Sequence, residues 1–187
     1  MKSLTSHWAV KETKQKTSEI LADCKKLFKV WTYYDDTQLD RDFPPPKKLT
    51  TRYFKKNVEA DEEQKEKSAN DLEKEGVEAI TLRERLLLEL KHFDETKSHL
   101  DIENWTLCAG SRYAGGGVPS VRWYSDDHEF YVGWGGVDDS DSRLRARVAV
   151  NPSDFPLEHL GSDLKVRVEV LETNVRKLMA VINTEHL

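Results

Sequence analysis

The sequence predicts an α+β fold, with an amino-terminal helical region, a small antiparallel sheet of three to four strands packed on a helix, and a carboxyl-terminal helix with a heptad seam. Three observations carry this reading. The stretch TLRERLLLELKHF has helical apolar spacing, the runs between Trp105 and Val150 alternate with a period of two, and from Leu164 apolar residues recur at steps of 4, 3, 4, 3 and 4. A chain of 187 residues suits one sizeable domain or a compact domain with a helical appendage. With 37% hydrophobic and 34% charged residues, the core has to be concentrated, and it is expected in 80–160. Residues 1–79 are then expected as the helical region with its linkers, and 161–187 as the final helix.

In chain order, Ile20, Leu21, Cys24, Leu27, Phe28 and Trp31 gather on one face of a helix over 18–31. The segment TYYDDTQLDRDFPPPKK reads as a connector stiffened by its three prolines, which lack backbone donors; the same run could serve as an SH3 or WW ligand. Between Lys55 and Glu78, nine acidic residues stand against five lysines with few apolar ones, the pattern of a solvated, frayed helix. Thr81 and Glu84 form a capping box, after which Leu82, Leu86, Leu87, Leu90 and Phe93 share the face that packs on the sheet.

The strands follow. SVRWY and EFYVGW flank the turn-forming SDDH and predict a hairpin, WTLCAGS a first strand and RLRARVAV a last one. Alternation buries Trp123, Phe130, Val132, Trp134, Leu144 and Val148 and places Arg122, Tyr124, Tyr131, Arg143, Arg145 and Arg147 together on the opposite face. LKVRVEVLE also alternates, but the heptad seam from Leu164 through Val168, Leu171, Val175, Leu178 and Ile182 covers more residues, so a helix over about 163–183 is preferred.

Chemistry-bearing candidates are few. CAGSRYAGGG has no GxxxxGK[ST] or GxGxxG, and its glycines lead into a strand, so Gly115, Gly116 and Gly117 read as a bend. Cys108 would need a base such as His128 or His99 to act as a nucleophile; beside Leu107 it reads as core packing. Ser111 lacks a nucleophile elbow, and Asp138, Asp139 and Asp141 lack EF-hand spacing. The six histidines form no HExxH and Cys24 and Cys108 no CxxC, so neither cofactor nor metal is expected.

A net charge of −5 argues against bulk attraction to nucleic acid or anionic membranes, and the absence of an apolar leader or membrane-length apolar run leads to the expectation of a cytoplasmic chain. The expected function is a non-catalytic protein-interaction module. It would use the Arg/Tyr sheet face, with oligomerisation through the carboxyl helix as a further possibility. The alternatives are an enzyme acting around the Cys108–Gly117 bend with Arg112 and His128, and a single-stranded nucleic-acid binder whose bases stack on the Tyr residues.

Overall fold

Thr81 and Glu84 close their capping box in both directions, the Thr81 hydroxyl accepting from Glu84 N at 3.2 Å and the Glu84 carboxylate from Thr81 N at 2.9 Å. They start α4 (Leu82–Thr96), which ends at Lys97 in the left-handed region. The computed structural model in which this helix is seen describes residues 6–151, 168 and 171–176. Leu82, Leu86 and Leu88 are fully buried, but so are Arg85 and Glu89, so α4 buries a charged side as well as the expected apolar one.

Between residues 7 and 151 the fold is mixed, with four α-helices, one 3₁₀ turn and sheets of two and five strands. Several expectations are corrected. The first helix, α1 (Thr17–Leu27), buries Ile20, Leu21 and Cys24 but stops before Phe28, and Trp31 belongs to strand β2 (Val30–Thr32). Its β-branched and aromatic residues pair with a distant strand instead of continuing the helix. The proline connector contains α2 (Asp36–Asp42), capped by a second reciprocal pair, Asp35 with Gln38.

The charged stretch is not one frayed helix. It begins at the end of β3 (Thr51–Lys55), forms the 3₁₀ turn Glu62–Gln64 and only then α3 (Ala69–Lys74), capped by Ser68 with Asp71. The amino-terminal region is therefore not purely helical, since β1 (His7–Lys11) also pairs antiparallel with β3. Trp8, Val10 and Phe54 from this ribbon join Ile20, Leu86, Val121 and Phe130 in one apolar core.

The larger sheet has the order β2-β6-β5-β4-β7, with β4 (Trp105–Leu107), β5 (Val118–Tyr124), β6 (Glu129–Gly135) and β7 (Leu144–Arg145). The β5–β6 hairpin forms as the sequence predicts, with Trp123 opposite Phe130. The sheet is larger than three to four strands and is not purely antiparallel, because β2 runs parallel to β6 and β7 parallel to β4. Its inner face packs on the main core. Part of its outer face is covered by α3 and the 136–143 loop, where Leu72, Leu107, Val118 and Ala146 form a second small cluster.

Of the helix expected over about 163–183, only Val168 and residues 171–176 are described; these are helical, and the rest of the seam lies outside the described residues. Among the described residues no helix is long and apolar enough to cross a membrane.

Candidate functional site: a furrow on the outer sheet face

The register of the five strands sets the outer face in rows that run across the sheet. Trp31 lies beside Tyr131, Tyr131 opposite Arg122, and Leu144 beside Trp105, with Trp105 next to Arg122 one step on from the Thr106–Val121 pair. Because side chains alternate with a period of two, these five residues point the same way and form a ridge across all five strands. The adjoining row is small. Gly133 lies opposite Ser120, and Ser120 opposite Leu107, with Tyr33 at the β2 end. A furrow of about 380 Å³ follows, lined by Trp31, Tyr33, Tyr131 and Trp134 on one side and by Asp139, Asp141 and Arg143 on the other.

The ridge is a packed array of rings. Trp31 stacks on Tyr131 with centroids 4.1 Å apart, while Trp105, Tyr124 and Tyr131 meet edge to face at 5.5 to 5.7 Å. Both arrangements satisfy the ring quadrupoles. Burial, with the nearby Tyr124 and Glu129, pushes the Tyr131 phenol above its ordinary pKa, so it stays neutral. At the β2 end, Trp31, Tyr33 and Trp134 are 38%, 54% and 44% exposed, with Tyr33 against Trp134 at 5.5 Å and Tyr113 behind it at 5.7 Å. Three large aromatic side chains thus present open surface beside one furrow, and such contiguous exposure marks binding surfaces.

The six residues singled out from alternation do not stay together. Arg122, Tyr124 and Tyr131 share the outer face, and Arg143 lines the furrow. Arg122 is already engaged, since its Nη2 donates to the Ile102 carbonyl at 2.8 Å and its guanidinium lies 4.3 Å from the Tyr124 ring centroid and 5.5 Å from that of Trp105. Arg145 and Arg147 belong to the other face, a correction to the expected grouping. Arg145 pairs with Glu62 at 2.6 Å, and Arg147 is buried. Alternation in RLRARVAV holds from Leu144 to Arg147 but not at Arg143, and Arg145 and Arg147 turn away from the furrow toward the exposed Glu62 and the buried Asp101. Trp134, expected inside, is the reverse case at the end of β6, while Trp123, Leu144 and Val148 are only partly buried.

The inward arginines lead to a charged cluster that the sequence reading missed. Arg147 Nη2 donates to Asp101 Oδ1 at 2.6 Å, and Arg85 Nε donates to Asp101 Oδ2 at 2.9 Å and Nη1 to Glu89 Oε2 at 2.7 Å. Glu89 also meets His99 Nδ1 at 2.8 Å, and the His99 ring stacks on Trp123. Burial works against the Asp101 carboxylate, but Arg147 and Arg85 outweigh it and hold its pKa below the ordinary range. Two guanidiniums thus face two carboxylates with their hydrogen bonds largely satisfied, which is structural bracing in the core. The only hint in the sequence was Arg85 four residues before Glu89 on a helix.

Around the glycine bend, Cys108 and His128 do not meet. Cys108 is fully buried, and desolvation raises its thiol pKa, which keeps it neutral. Arg112 donates to the Ala109 and Ser111 carbonyls and to Glu73. His128 lies in the turn beyond the far end of β5, about 20 Å from the bend at roughly 3.3 Å per residue. Ser111 Oγ accepts from Leu82 N at 3.0 Å at the start of α4. Among the described residues no group of three or more His, Cys, Asp or Glu side chains is placed to hold a metal ion. No protein-family model, curated protein or solved structure matches the chain.

Proposed function

We propose that the protein is a non-catalytic protein-interaction module that holds its partner in the furrow on the outer face of the five-stranded sheet. The observation that carries this reading is the exposure of Trp31, Tyr33 and Trp134 side by side at the edge of a trough floored by Gly133 and Ser120. Large amphipathic rings supply contact area at little conformational cost and are enriched at interfaces. The nucleic-acid reading has less support, because phosphate binding needs several free cations, and the furrow offers Arg143 against Asp139 and Asp141.

Selection of a displayed random-peptide library on the intact protein tests the module reading. Enriched peptides are expected to bind the wild type and to lose at least tenfold in affinity to a Tyr33→Ala/Trp134→Ala double variant. No enrichment over an unrelated control protein, or equal binding to the double variant, would overturn it. A second surface is favoured by one observation, the exposure of Val168, Leu171 and Val175 on the helical residues near the carboxyl end. If that stripe self-associates, sedimentation will show a wild-type species larger than that of Leu171→Glu; two equal monomers would remove it.

A further inference from the structure

Resting on the module reading, we infer that the furrow takes a proline-containing segment of another protein in the polyproline II conformation, with a lysine or arginine placed against Asp139 and Asp141. Direction is the first argument. The furrow crosses the strands, and the in-plane donors and acceptors of β4, β5 and β6 are occupied by their neighbours, so its floor offers no backbone ladder to an added strand. An occupant is held by its side chains and by ring contacts alone. A segment that is already extended and has few internal degrees of freedom loses least on binding, and polyproline II is that conformation.

Size agrees. From Tyr33 on the β2 side to Leu107 on β4 the furrow crosses three interstrand gaps, about 14 Å at ~4.8 Å each. That accommodates four to five residues at about 3.1 Å per residue of polyproline II. Proline rings are flat-sided and carry no donors that need burying, so they suit the open faces of Trp31, Tyr33 and Trp134 at one end. Gly133 and Ser120 leave room beneath, and the Tyr131 ring leans over Gly133 to form the near wall, 2.8 Å from where a Cβ would stand.

Charge sets the wall opposite the Tyr131 ridge, where Asp139 lies over Gly135. The Asp139 carboxylate accepts from Gly136 N at 2.6 Å and that of Asp141 from Arg143 N at 2.6 Å, which fixes both acids on the rim. Among the described residues neither forms an ion pair within 4 Å, while Arg143 is the single cation lining the furrow. A basic side chain there gains two carboxylates and adjacent ring faces, and the net charge of −5 favours its approach. A polyanion gains nothing comparable. The chain's own Pro44–Lys48 has matching chemistry but is engaged, with Lys14 Nζ donating to the Pro46 and Lys47 carbonyls at 2.8 and 2.9 Å and Phe43 buried, so the segment comes from another protein.

Titration of the full chain, followed by tryptophan fluorescence, with synthetic dodecapeptides containing three consecutive prolines and two following lysines tests this. Binding is expected, weakened at least tenfold when the prolines become alanines, when the lysines become glutamates, and in the Trp134→Ala and Asp139→Asn/Asp141→Asn variants. The exposed positions of these substitutions keep the fold. A thymidine 12-mer and a neutral oligosaccharide are expected to leave the fluorescence unchanged. Equal affinity for the alanine peptide, preference for the oligonucleotide or the sugar, or self-association of the free protein through Pro44–Lys48 overturns the assignment. If proline-free library peptides bind and are lost with Tyr33→Ala/Trp134→Ala while no proline peptide binds, the ligand class fails and the module reading stands.

Discussion

Trp31 lies flat on Tyr131, the two ring planes 8° from parallel with centroids 4.1 Å apart, and this contact fastens the three-residue edge strand β2 to β6. So short a parallel strand has few ladder hydrogen bonds, and stacking supplements them. Removing the indole forfeits the ring pair, about 0.5–1.5 kcal/mol, and the apolar area that Trp31 covers on a half-open face. Trp31→Ala is therefore expected to lower unfolding stability by about 1–3 kcal/mol in urea titrations, with Trp31→Phe recovering most of it. A loss below about 0.5 kcal/mol for Trp31→Ala would mean that the stack contributes no more than an ordinary surface contact.

Arg143 and Arg147, two parity mates in one run, should behave oppositely. Arg143 is exposed, so Arg143→Ser is expected within about 0.5 kcal/mol of wild type. Arg147→Ser strands Asp101 as a buried charge with one guanidinium fewer and is expected to cost about 3–5 kcal/mol. Urea midpoints of the two single variants decide, and similar values for both would contradict the inward placement of Arg147.

This contrast shows which parts of the fold are legible in the sequence. Alternation assigns Arg143, Arg145 and Arg147 to one set, but it does not say which way each faces; Arg145 and Arg147 turn to Glu62 and Asp101, which only the folded chain brings near, while Arg143 stays on the furrow. The α4 helix and the β5–β6 hairpin were readable because their signals are local, a capping box in one case and two alternating runs around SDDH in the other. Strand β2 was not, since Trp31 continues the helical spacing of α1 and its partner β6 lies far along the chain. Part of the furrow was visible as Tyr124, Tyr131 and Arg143. Another part, Trp31, Tyr33 and Trp134, depends on that long-range parallel pairing, whereas the α2 cap of Asp35 with Gln38 was present in the sequence to be read.

Two glycines near the bend are fixed for different reasons and should respond differently to the same substitutions. A Cβ on Gly110 would stand 2.5 Å from the Ala79 carbonyl oxygen and 3.1 Å from Ile80 backbone atoms, which cannot swing away. A Cβ on Gly116 would meet nothing within 4 Å, but the residue has φ +86°. Gly110→Ala is expected to cost about 2–3 kcal/mol by overpacking, and Gly116→Ala about 1–2 kcal/mol by backbone strain. Asparagine tolerates positive φ but is larger, so Gly116→Asn should be milder than Gly116→Ala, while Gly110→Asn should be worse than Gly110→Ala. The same order at both sites, measured by thermal unfolding, would reject this division.

The pH dependence of stability follows from three buried groups with shifted pKa values. Burial lowers the pKa of His92, whose Nδ1 has no hydrogen-bond partner, so the folded state resists a proton that the unfolded chain accepts below about 6.5. Stability contributed by neutral His92 is therefore full above that value and declines as the pH falls below it. Glu84 acts in the opposite sense, because burial raises its carboxyl pKa above the ordinary value despite Arg52, and acidification toward that raised pKa relieves a penalty. Asp101 has a lowered folded pKa; its contribution is complete above the ordinary value of about 3.9 and disappears as the pH drops through the lower folded one. Urea midpoints at constant ionic strength should thus begin to fall as the pH drops through about 6.5, be partly offset as Glu84 takes up its proton, and fall again below about pH 4. His92→Gln isolates the first limb: it should flatten the slope just below about pH 6.5 while leaving the loss below about pH 4 intact. An unchanged upper slope in that variant would assign the first limb to another histidine and refute this account of His92.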